Sequence, residues 1–130
     1  MTDANDFKTQ VLRAFAALYR AHPRVITLSS EQTNYPPPNR NDISYTDELL
    51  SSGGTITWLY RNGFVNGEFQ ETNPGSFMTN AQLSGKGYAI FRKVYPNVGR
   101  PLGEAAVEAV DKHGERELSV LADLLMDKLA

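Results

Sequence analysis

Between Ile56 and Phe91 the hydrophobic spacing changes period twice, and this double change most restricts what the chain can fold into. Up to Asn62-Gly63 the apolar residues Ile56, Leu59 and Tyr60 keep helical spacing, and Gly63 suits the position just past a helix end. From Phe64 the spacing is that of a strand. Val65, Gly67, Phe69 and Glu71 alternate with Asn66, Glu68 and Gln70, and Phe77, Thr79, Ala81 and Leu83 form the return. Asn73-Pro74-Gly75 between them is turn chemistry, since proline presets φ and glycine accepts positive φ. After Leu83 the helical period resumes: Ser84 is placed as a cap, and Tyr88, Phe91 and Val94 or Tyr95 form the apolar stripe. The segment therefore predicts a helix, a β-hairpin and a second helix.

The flanks add three features. Phe7, Val11, Ala14, Leu18 and Ala21, with Phe15 beside them, predict an amphipathic helix of about 15 residues, capped by Asp6 and stopped by Pro23, with Arg13 and Arg20 off the stripe. Val25-Ile26-Thr27-Leu28 reads as a strand that pairs near the hairpin. Residues 29–44 hold Pro36-Pro37-Pro38 among asparagines and read as an irregular loop, either functional or mobile. Ser44 or Thr46 can cap the next helix, with Asp47 and Glu48 in its first turn. Gly53-Gly54 is costly there, so either two short helices meet or another backbone packs against the glycines. The expected core includes Phe15, Leu18, Leu49, Ile56, Leu59 and Leu83. The tail from Leu102 to Leu129 is helical, broken near Gly114 and followed by the stripe Leu118, Leu121, Leu125 and Leu129.

The string W-L-Y-R-N-G-F-V-N-G-E, followed by L-S-G-K-G-Y, resembles PadR-type and related winged-helix regulators. In that family a helix ends in L-x-x-x-G-[LFY]-[IV] and the wing returns into L-T-x-K-G; here Leu59, Gly63, Phe64, Val65, Leu83, Ser84, Lys86 and Gly87 match over about a third of the chain. The resemblance implies an α+β winged helix over 1–96 with a small antiparallel sheet, and a C-terminal helical extension over 97–130. It makes 46–62 the recognition helix, with Asp47, Glu48, Ser51, Thr55, Trp58 and Asn62 outward and Thr57 and Arg61 on the flank. Lys86, Arg92 and Lys93 would then offer phosphate contacts. Bound to double-stranded DNA as a homodimer, the protein would be a small transcriptional regulator, with the tail leucines as the dimer contact.

Charge pulls against that reading. The net charge is −2, and residues 45–93 carry four Lys/Arg against four Asp/Glu, so the winged segment is not a basic domain. Residues 94–130 carry four against seven, spaced as a solvated helix face. The alternative is a protein-interaction module on the same scaffold, using Trp58, the proline loop or the tail. No enzyme signature stands out. Gly85-Lys86-Gly87 is not a phosphate-binding loop, because Asn80 holds the first glycine position and Gly87 the Ser/Thr position. There is no cysteine, and His22 and His113 lie far apart, so neither a metal site nor a cofactor is expected. The acidic, polar start and the absence of a long apolar run make a cytoplasmic protein the expectation, with no membrane partner.

Overall fold

The computed structural model describes residues 6–72 and 75–130. Over these residues the chain is an α+β fold of six helices and one small antiparallel sheet. The elements run α1 (Phe7–Ala21), β1 (Ile26–Leu28), α2 (Ser30–Thr33), α3 (Tyr45–Arg61), β2 (Val65–Glu71), β3 (Ser76–Leu83), α4 (Gly85–Arg92), α5 (Leu102–Lys112) and α6 (Glu115–Leu129). β3 is the central strand, flanked by β1 and β2. The expected hairpin is present, as is its pairing with the strand near Val25–Leu28. Thr72 and Gly75 exchange backbone hydrogen bonds of 2.8 and 3.0 Å where the hairpin turns. Asn73 and Pro74 of the predicted turn lie outside the described residues.

A bulge resets the inward face of β3. Asn66 pairs with Gln82 but Glu68 pairs with Thr79, so Asn80 and Ala81 together face Gly67. The extra residue breaks the two-residue alternation. Met78, Ala81 and Leu83 are therefore buried, whereas Phe77 and Thr79, expected on that face, are only partly covered.

α1 is the axis of the molecule. Asp6 caps it by accepting from the Thr9 N–H at 3.0 Å, as expected. Every residue from Thr9 to Ala16 is buried, which a helix with one solvent face cannot show. α3 and β3 pack on α1, and so do α5 and α6. The tail thus covers the face that spacing alone assigns to water, and Arg13, expected off the buried stripe, is only 5% exposed. Phe7, placed on the stripe, is instead 41% exposed. Leu102, Ala106, Ala109, Leu118, Ala122 and Leu125 join Phe15, Leu59 and Leu83 in one core that runs unbroken across the 96/97 boundary. Of the expected core, only Leu49 is left half-covered.

One element departs from the expected course, and the choice left open at Gly53-Gly54 is decided. Within the 29–44 loop, Ser30–Thr33 forms a helical turn: Ser29 Oγ accepts from the Glu31 N–H at 3.3 Å, while Gln32 Oε1 accepts from the Ser29 N–H at 2.7 Å. Satisfying these end groups from both sides holds so short a helix in place. α3, for its part, runs unbroken through Gly53-Gly54. The hairpin backbone packs against it there, and a Cβ on Gly53 would lie 2.7 Å from Ser76 N. Gly87 lets helix and strand approach closely, since a Cβ there would lie 2.7 Å from the Phe64 carbonyl oxygen. α4 starts at the Ser84 cap, whose Oγ accepts from the Gly87 N–H at 3.2 Å, and stops at Arg92, leaving Tyr95 buried and Val94 exposed.

Candidate functional site

The residues singled out on α3 divide between two faces. Thr55 is 2% exposed, not outward: its hydroxyl donates to Gln10 Oε1 on α1. Ser51 is exposed but accepts from Gln10 Nε2 at 3.2 Å. Trp58 also turns inward, wedged between Phe7 (5.2 Å, edge-on) and Phe64 (5.7 Å, stacked), and is half-buried against the core. The reason lies in the rotation of the helix. Burial of Ser52, Ile56 and Leu59 places 55 on the core side and 58 at its edge. Thr57 is half-buried and donates to the Gly53 carbonyl at 2.8 Å. The exposed stripe is Asp47, Leu50, Gly54 and Arg61. Leu50 is 55% exposed, and Ile43, just ahead of the helix, is fully exposed.

Basic side chains gather at the far end of this face. Lys86 Nζ donates to the Asn62 carbonyl at 3.3 Å and lies 4.4 Å from the Phe64 ring centre, which joins Arg61, Asn62 and Lys86 at one corner. Asn62 returns its own amide to the Trp58 carbonyl at 2.8 Å. Arg92 and Lys93 belong to the other end of α4, over the rings of Tyr88 and Tyr95. α3 and the hairpin together carry Asp47, Glu48, Glu68 and Glu71 against Arg61 alone, so their surface is acidic outside that corner.

The tail leucines have mixed positions. Leu118 and Leu125 are buried in the chain's own core and are not available to a second copy. Leu121 and Leu129 are half-buried, while Val120 is 62% exposed.

Sequence reasoning passed over a cleft of about 510 Å³ between α1, the segment after α2 and the end of α5. Its walls are Ala16, Ala17, Ala21, Ile26, Pro37 and Val110. Polar groups enter from three sides. Arg13 comes from α1, its guanidinium carbon 5.6 Å from the Tyr35 ring centre, and its Nε is buried with no acceptor among the described residues. Burial pushes its pKa below the ordinary arginine value, and Tyr35 acts in the other direction. Asn34 is 3% exposed; its Oδ1 accepts from Thr33 Oγ1 at 2.7 Å and Gln10 Nε2 at 3.4 Å, leaving Nδ2 as a buried donor without an acceptor. The third wall is Tyr35 stacked on His113, with ring centres 3.7 Å apart and 16° between planes. His113 reaches it from a left-handed backbone position (φ 53) that caps α5. No spacing in the sequence announces this site, because its parts come from residues 13, 34–35 and 113. The one signal was Ser29-x-x-Gln32, a capping pattern that fixes where Asn34 falls.

Among the described residues there is no group of three or more metal-ligating side chains and no helix long and apolar enough to cross a membrane. Neither the protein-family models, nor the curated proteins, nor the solved structures contain a match to this chain.

Proposed function

We propose that the chain is a binding protein of winged-helix type that docks a protein partner through the outer face of α3, and is not a catalyst. The observation that carries this is the composition of that face: Ile43 and Leu50 stand exposed beside Asp47 and Glu48. Apolar side chains ringed by charge suit a protein interface, with the apolar part as its centre. The complementary partner is apolar at its centre and basic at its rim. The order helix, strand, helix, helix, strand, strand supports the winged-helix reading.

A second reading, a transcriptional regulator on DNA, rests on the corner formed by Arg61, Asn62 and Lys86. The rest of the face opposes it. A recognition helix offers its N-terminal residues to the bases, and those are Asp47 and Glu48 beside the carboxylates of the hairpin. A salt titration with a mixed-sequence duplex separates the two. Phosphate contacts make affinity fall steeply with salt, each by nearly one unit of log–log slope. The protein-partner reading expects no saturable binding at low salt. Tight binding whose salt slope drops in Arg61→Ala and Lys86→Ala would replace it with the DNA reading.

A further inference from the structure

We propose that the cleft between α1, residues 34–37 and the end of α5 binds a small organic monocarboxylate with an apolar body, held by Arg13 and Asn34. A buried cation ordinarily has a carboxylate beside it, because an unpaired charge out of water is costly. In the neighbouring groove, of about 630 Å³, even exposed cations follow that rule. There Arg20 pairs with Asp111, and Arg100 and Lys112 both pair with Glu108. Arg13 breaks it: 5% exposed, it forms an ion pair with none of the described residues, only the ring contact with Tyr35. Asn34 Nδ2 adds a second buried donor at the same cleft, oriented by the bonds that occupy its Oδ1. With both residues in the cleft wall, the guanidinium of Arg13 and the carboxamide of Asn34 are the groups that would take the two oxygens of a carboxylate.

Charge and shape narrow the class. Arg13, Arg20 and Arg24 line the cleft against Glu31 and Asp111, which leaves one uncompensated positive charge. That balance suits a monoanion better than a phosphate dianion. Alanine, isoleucine, valine and proline walls need an apolar body, and the volume is in the range of small-molecule sites. The flat Tyr35–His113 pair suits a planar or compact body beside the carboxylate.

The test uses the full-length protein, isotope-labelled and followed by NMR, with hexanoate and benzoate as probes. Hexanamide and benzamide serve as neutral counterparts, and inorganic phosphate as the bare anion. The proposal expects saturable shifts centred on Arg13, Asn34, Tyr35 and Val110 with at least one carboxylate, and none of comparable affinity with the amides or phosphate. Arg13→Met should weaken binding by about tenfold or more, a change read directly in Kd. Ala17→Leu, which fills the cleft while keeping the arginine, should weaken it likewise, and decides the matter should Arg13→Met lose its fold. Four results would overturn the proposal. They are no saturable shifts with either carboxylate up to about 10 mM, equal binding of the amides, equal binding of phosphate, or unchanged affinity in the variants.

Discussion

The amide of Gln10 ties three parts of the chain together: it accepts from Thr55 on α3 and donates to Ser51 and to Asn34, which follows α2. A further link joins Thr33 and Ser52, with 2.6 Å between their hydroxyl oxygens. Such a buried seam is stable only while every member has its partner. Thr55→Val keeps the shape and removes the donor, so it should cost about 1–3 kcal/mol by leaving Gln10 Oε1 buried and unsatisfied; chemical denaturation measures this, and an unchanged midpoint would mean the seam is not formed. Residue-scale roles were hard to read from the chain. Thr55 and Trp58 have the chemistry of contact residues, and spacing alone places them within a turn of the exposed stripe. A modest rotation of α3, set by which apolar side chains the core accepts, decides the matter. Arg13 was misplaced because its cover comes from outside its own helix: Tyr35 lies over the guanidinium, and α5 and α6 pack on α1.

At the scale of elements, the helix–hairpin–helix segment was legible because the signals that define it are local. The period change, Ser84 and the short strand near Ile26 fall where the structure has them. The helical turn after Ser29 was hidden by three following prolines, and the bulge at Asn80 by the absence of any spacing signal stronger than the alternation it interrupts. The two glycines of α3 give a sharp test of how the hairpin sits. Gly53→Ala places a methyl 2.7 Å from Ser76 N and should destabilise the fold, because the obstacle is backbone. Gly54→Ala meets nothing within 4 Å and should stabilise it by about 1 kcal/mol through helix propensity. Thermal melts of the two variants would contradict the packing if they moved the same way.

For the whole molecule, α5 and α6 complete the core by covering α1, as Leu102, Leu118 and Leu125 show. Truncation after Asn97 should therefore leave a chain that is insoluble or lacks a cooperative melt. A soluble, cooperatively folding 1–97 fragment would show that the tail is dispensable. Nothing in the first ninety residues announces this dependence, since the first helix shows a complete amphipathic stripe without the tail. The proposed docking through the face opposite the core rests on Leu50 of α3 and on Ile43 just ahead of the helix, both exposed beside carboxylates. Its most direct test puts a photo-crosslinking amino acid at position 50 of the full chain in the cells that make it, with position 120 on α6 as an equally exposed control. A protein partner docked there gives a discrete protein adduct from position 50, absent from position 120 and lost when Asp47→Arg reverses the charge beside it. A nucleic-acid adduct, no adduct, or the same adducts from both positions would contradict it.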